Sequence, residues 1–216
     1  MRKQARHSEE APIGHLDYVA WHQGKTPNWA WLAIRAELEA VEVFYRGLGW
    51  QVGENAQKLQ ELPQQFNTTY GLLQPMGRGY EWIIVTYPWD KIDRDLIADQ
   101  AKSAAKQLTT KTFWTTTIGA EIAYELLDWD DRVEYAQLSD SFTFESKLRS
   151  QPGENFSDGG LIDGLPKFQY FIDEVLGDLH LYLFPCVVIK TDHSYGYFEA
   201  PNAAVSVAQV KIISPA

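Results

Sequence analysis

Large apolar or aromatic groups stand on both alternating faces of Tyr80-Glu81-Trp82-Ile83-Ile84-Val85-Thr86-Tyr87. Trp82, Ile84 and Thr86 point one way, and Ile83, Val85 and Tyr87 the other. A strand apolar on both sides must be covered on both sides, so the pattern predicts an interior strand of a sheet. Pro88 ends it, because proline cannot donate to a ladder. Leu72 and Leu73 begin a preceding strand, and Pro75-Met76-Gly77-Arg78-Gly79 turns it into the central one as a hairpin. Residues 112–118, rich in threonine and aromatic side chains, favour another strand. Residues 122–128 and 132–138 alternate on either side of Trp129-Asp130-Asp131 and read as an antiparallel hairpin with Asp130 and Asp131 at its tip. Shorter strands are expected over residues 16–21, 186–189 and 205–213.

Three stretches carry the helical period instead. In the first, Thr26 caps, Pro27 suits the first helical position, and Trp31, Ile34, Leu38, Val41, Tyr45 and Leu48 recur at three and four. Arg35, Glu39, Glu42 and Arg46 take the opposite side, and Gly47 and Gly49 stop the helix. The second begins at an Asp93 cap and turns Ile97, Ala101, Ala104 and Leu108 inward, the alanines implying close packing on the sheet. The third starts near Pro166 and presents Phe168, Phe171, Ile172, Val175, Leu176 and Leu179. Residues 50–70, polar and glutamine-rich, form a connector, and residues 151–164, rich in glycine, serine and aspartate, a mobile loop. The pattern therefore predicts an α+β fold: a mixed or antiparallel sheet with about three amphipathic helices packed against it. Residues 1–14 are expected to be disordered and residues 15–216 to form one domain. Irregular spacing of strands and helices argues against a doubly wound nucleotide fold.

Composition narrows the partners. A chain of 216 residues with 45% hydrophobic and 22% charged residues can bury a core without covalent staples. The single cysteine, Cys186, excludes an intramolecular disulfide and a multi-thiolate zinc site, which fits a reducing compartment, the cytoplasm by default. The basic residues of the first ten positions have no apolar run behind them, so no signal peptide is expected, and no stretch reaches transmembrane length. A formal net charge of -10 opposes nucleic acid and favours a basic protein partner. With 8 tryptophans and 11 tyrosines, some rings are available for a contact surface, although most belong in the core.

Candidate chemistry is sparse. Asp128, Asp130 and Asp131, with Glu134 nearby, have the carboxylate density that a hard cation takes, but aspartate is common in turns for its own backbone bonding, and no EF-hand pattern is present. Cys186 and His193 have the makings of a nucleophile and base, yet Phe184-Pro185-Cys186-Val187-Val188-Ile189 is an apolar run in which cysteine serves as a small hydrophobe. Ser194 beside His193 points the other way in an extended chain, and no Gly-x-Ser-x-Gly elbow occurs. Glu81, Glu121 and Glu125 are carboxylates without a defined separation, and His15, His22, His180 and His193 meet only through tertiary structure. Gly77-Arg78-Gly79 lacks the phosphate-loop lysine and precedes a strand. No cofactor and no metal is called for. The leading expectation is a soluble interaction protein, in its sharper form an immunity-type inhibitor that offers carboxylates to a basic partner in place of phosphates, with Trp129, Asp130 and Asp131 as contact residues. Glu37, Glu39 and Glu42 form a second acidic surface. The alternative is a small-molecule hydrolase or metal-assisted enzyme in which His180, Cys186, His193, Glu81 and Glu125 converge.

Overall fold

Trp-Ala-Trp-Leu-Ala-Ile, residues 29–34, is apolar at every position, a composition that suits a strand buried on both faces better than one stripe of a helix. The computed structural model describes residues 29–54, 71–76, 81–87, 93–118, 121–138, 143–150, 170–181 and 211–216. Its strands are β1 (Trp29–Ile34), β2 (Gln51–Glu54), β3 (Gly71–Met76), β4 (Trp82–Thr86), β5 (Lys111–Ile118), β6 (Glu121–Asp128), β7 (Asp131–Leu138), β8 (Thr143–Ser146) and β9 (Lys211–Ser214). They form one sheet in the order β2-β9-β3-β4-β1-β5-β6-β7-β8, with every described pairing antiparallel. The helices are α1 (Leu38–Gly47), α2 (Arg94–Leu108), and a π-helix (Phe171–Leu176) that runs into the short α3 (Gly177–Leu179). The fold is α+β, as the alternation of patterns predicts.

The interior strand is where the pattern puts it. Trp82 and Ile84 of β4 join Trp31, Ala33, Phe113 and Tyr124 on one face, closed by Phe171, Val175 and Leu176 of the π-helix. Ile83, Val85 and Tyr87 join Leu32, Ile34 and Trp114 on the other, closed by Val41, Phe44 and Tyr45 of α1 and by Ile97, Ala101, Ala104 and Ala105 of α2. The strand expected before β4 pairs antiparallel with it, Leu73 opposite Val85 and Met76 opposite Trp82; Pro75 and Met76, expected in the turn, belong to β3, and residues 77–80 lie outside the described residues. At its far end Gly71 lies so close to β4 that a Cβ there would overlap the Thr86 carbonyl oxygen.

Two expectations are overturned. The first helix does not begin at residue 26: Trp31 and Ile34 lie on β1, between β4 and β5, and the helix covers only Leu38–Gly47. Their helical spacing from Leu38 is a coincidence of a run with no polar positions, in which every period finds matches. The connector expected from residue 50 opens instead with β2, which pairs with β9, Val52 opposite Ile213. The second helix matches its prediction: the Asp93 carboxylate accepts from the Asp95 and Leu96 backbone N–H groups, at 2.8 and 3.1 Å. The expected strands at residues 16–21 and 186–189, the loop at 151–164 and the helix start near Pro166 lie outside the described residues.

One polar knot is buried between the helices and the sheet. Tyr45 and Tyr87 hydroxyls meet at 3.0 Å, and both donate to Gln100 Oε1, at 3.2 and 2.9 Å. Trp50 stands edge-on to both rings, at 5.8 and 6.1 Å. Burial raises both phenols above their ordinary value, Tyr45 well above it.

Two outcomes are expected from this architecture. Ile84→Ala should cost about 2 to 5 kcal/mol in urea unfolding, while Val43→Ala, exposed on α1, should cost less than about 0.5 kcal/mol; equal costs would remove the two-sided burial of β4. The raised phenols mean that the unfolded state releases protons first as pH rises. Their stabilisation is complete below about pH 10 and is lost above it, at about 1.4 kcal/mol per pH unit for each tyrosine held neutral. Tyr87→Phe should reduce that alkaline slope by about one proton. An unchanged slope in urea titrations between pH 9 and 11 would contradict the assignment.

Candidate functional site

The register brings six strand ends to one end of the sheet. Ile34 of β1 is opposite Ile83 of β4 and Thr112 of β5, Lys111 is opposite Asp128, Asp128 is opposite Asp131, and Glu134 is opposite Ser146. The connections at this end are bonded to one another. Arg35 N–H donates to the Lys111 carbonyl at 3.0 Å, Thr110 Oγ1 donates to the Arg35 carbonyl, and Trp129 N–H donates to the Thr110 carbonyl at 3.0 Å.

Thr109, Trp129 and His180, with φ of 50°, 59° and 57°, are the non-glycine residues in the left-handed region among the described residues. All three lie at this end. Thr109 caps α2, Trp129 opens the two-residue turn between β6 and β7, and His180 caps α3 beside Glu81, the residue before β4. A β-branched or bulky side chain is uncommon there, and such backbone costs of order 1 to 3 kcal/mol per residue, so its clustering marks a place where something other than local preference sets the chain.

The β6–β7 hairpin turns through Trp129 and Asp130; Asp131, expected at the tip, is the first residue of β7 and pairs with Asp128. The Asp128 carboxylate is 3.5 Å from Lys111 Nζ, and Asp131 is ion-paired to Lys147 Nζ. Trp129 is 52% exposed. Among the described residues no group of three or more His, Cys, Asp or Glu side chains is placed to hold a metal ion.

Glu134 is not a neighbour of the tip. The register between β6 and β7 shifts after Leu127, which pairs with Arg132, so that Leu126 pairs with Glu134 and Val133 is the extra residue. Without the bulge Glu134 would oppose Glu125; with it, Glu134 turns to the face of Tyr124. It is 0% exposed and accepts from Tyr124 OH at 3.0 Å, Ser146 Oγ at 2.7 Å and Arg149 Nη1 at 2.7 Å. Arg149 reaches on to Asp178 beside the π-helix at 3.1 Å. Burial works against the Arg149 charge, but Glu134, and behind it Asp178, hold the guanidinium above its ordinary pKa. Burial, and then the Glu134 carboxylate, raise the Tyr124 phenol.

The carboxylates weighed as a hydrolytic pair are separated. Glu125 is buried on β6 and accepts from Arg132 Nε at 2.5 Å and Trp114 Nε1 at 2.9 Å. Glu81 is three strand positions across the sheet and four residues along it, about 19 Å at ordinary strand spacing and rise, and pairs with Arg35 at 2.9 Å. The structure does bring Glu81 to His180, Oε1 to Nδ1 at 3.4 Å, while Trp82 Nε1 donates to the Leu179 carbonyl at 3.0 Å and fixes the turn that carries the imidazole. Cys186 and His193 lie outside the described residues, and the Glu121 side chain is not among those described. Of the second acidic surface, Glu42 is taken up by Arg46 at 3.0 Å and Lys211 at 3.8 Å. Leu148, 61% exposed just beyond β8, was not signalled by the sequence, where it is one leucine in a polar stretch.

No family model matches the chain, and no curated protein sequence or solved structure matches it. Among the described residues no helix is long and apolar enough to cross a membrane.

Glu134→Gln should destabilise by about 3 kcal/mol, because it removes the buried carboxylate partner of Arg149 and leaves the guanidinium to the more exposed Asp178. A change below about 0.5 kcal/mol in urea unfolding would show that the Glu134–Arg149 pair is not needed for the fold.

Proposed function

We propose that this chain works by binding, and that it meets a basic protein partner at the β6–β7 end of its sheet with Trp129 as the anchor. The observation that carries the reading is the setting of that side chain. Trp129 takes a left-handed conformation that a bulky residue rarely adopts, its N–H is bonded to Thr110, and its ring is left in solvent. Tryptophan is the side chain most often found to dominate interface energies, and a backbone already held in place loses little freedom on binding. The pairs Lys111–Asp128 and Lys147–Asp131 balance most of the charge around it, so covering the ring leaves Asp130 as the carboxylate for a cationic partner to meet. The net charge of -10 favours a cationic partner and accelerates its approach. The sharper form, in which carboxylates stand in for nucleic-acid phosphates on the partner, draws on that charge alone.

A second reading is favoured by the contact between His180 and Glu81. A carboxylate at Nδ1 orients an imidazole and leaves Nε2 as the basic nitrogen, the arrangement a hydrolytic enzyme uses for proton transfer. A panel of ester and phosphoester substrates compared with wild type and His180→Ala separates it from the binding reading.

The binding reading is tested by affinity capture from the cells in which the chain is made. A protein of basic composition should be retained by the wild type in 0.1 M salt, and lost at least tenfold with Trp129→Ala, with an unchanged melting temperature. Retention should weaken at 1 M salt, where the screening length falls to about 3 Å. Identical retention by the two forms would remove Trp129 from the contact.

A further inference from the structure

We infer that Leu148 is a second anchor of the same contact surface and that the buried carboxylate of Glu134 positions it. The inference rests on the reading of Trp129 as an interface residue. Leu148 and Trp129 sit at the same end of the sheet, beyond β8 and between β6 and β7, about 10 Å apart at ordinary strand spacing. The Lys147–Asp131 ion pair ties the residue before Leu148 to the first residue of β7, two positions after Trp129.

An exposed leucine is ordinary by itself. What sets this one apart is that every neighbouring group in its turn is tied down. Lys147 N–H donates to the Val133 carbonyl at 2.9 Å. The N–H groups of Leu148 and Arg149 both donate to Ser146 Oγ, at 3.0 and 2.9 Å, and that hydroxyl donates onward to Glu134 at 2.7 Å. Arg149 turns inward to the same carboxylate. One buried anion therefore holds the hydroxyl, the guanidinium and, through the hydroxyl, two backbone groups. Leu148 is the apolar member of this turn that is left outside, at 61% exposure, beside the exposed Lys147. Two exposed apolar groups near neutralised ion pairs form a surface whose centre can be desolvated, with the Asp130 carboxylate beside it and Glu145 paired to Arg132 at 3.7 Å. The occupant that fits is a protein with an apolar cleft edged by lysine or arginine, in keeping with the net charge of -10.

The test uses the full chain in its own cells, with Trp129, Leu148 and Val43 each replaced in turn by the photoreactive p-benzoylphenylalanine. Val43 is the control, an exposed apolar residue on α1. The expected result is one and the same basic protein crosslinked from positions 129 and 148, displaced by excess unlabelled chain, and absent from position 43. Ser146→Ala should then lower the yield from position 148 at least threefold and leave that from position 129 within twofold, with the fold verified by circular dichroism. Crosslinking from 129 without 148 overturns the inference and leaves the role of Trp129 standing. Crosslinking from neither, or equally from all three, overturns both.

Discussion

The rest of the structure depends on the burial of β1 and β4 from both sides. Neither strand has a polar residue to offer solvent between Ala30 and Ile34 or between Trp82 and Val85, so each face of the sheet must carry a cover. That requirement explains why α1 and α2 lie on one face and the π-helix on the other, and why the alanines of α2 let its backbone approach the sheet. It also explains why β1, although early in the chain, is inserted between β4 and β5 rather than left at an edge, where its outer row of backbone groups would be open.

Covering both faces draws polar groups into the interior, and each is answered locally. On the helix side Tyr45, Tyr87 and Gln100 satisfy one another. On the other side Glu134 has three donors, and Arg149 extends the pairing to Asp178. Such networks stabilise less than an apolar core of the same volume would, but they are costly to break at one member, which favours a single arrangement of the segments they join. Here they join α1 to α2 and β4, and β7 and β8 to the π-helix.

The functional reading draws on the same economy of groups. Most acidic side chains that composition alone would assign to a partner or a metal already have a partner within the chain: Glu42, Glu81, Glu125, Asp128, Asp131 and Glu134. What this leaves for recognition is apolar and aromatic surface at one sheet end, where left-handed backbone at Thr109, Trp129 and His180 is held by the surrounding bonds. Charge then acts at a distance, and the anchors act at contact.

Local pattern along the chain is enough for the elements whose period is unambiguous. The two-sided strand at residues 82–86, the Asp93-capped helix with its inward alanines, the strand that follows it and the β6–β7 hairpin were all legible, because alternation and capping are local properties. The α+β class followed from them. It did not determine β1, whose uninterrupted apolar run matches a helix and a strand equally well, nor β2, whose pairing with β9 joins segments more than 150 residues apart. At the candidate site it marked Trp129, Asp130 and Asp131 but not Leu148, and it named His180 and Glu81 among five residues to converge without singling out that pair. These depend on contacts between segments far apart in the chain. A single bulge at Val133 turns Glu134 from the face of Glu125 to the face of Tyr124, and with it the buried anion, the Ser146 turn and the outward leucine. A one-residue shift in register reverses every side chain beyond it, and register is set by what the opposite strand and the covering helix will accept.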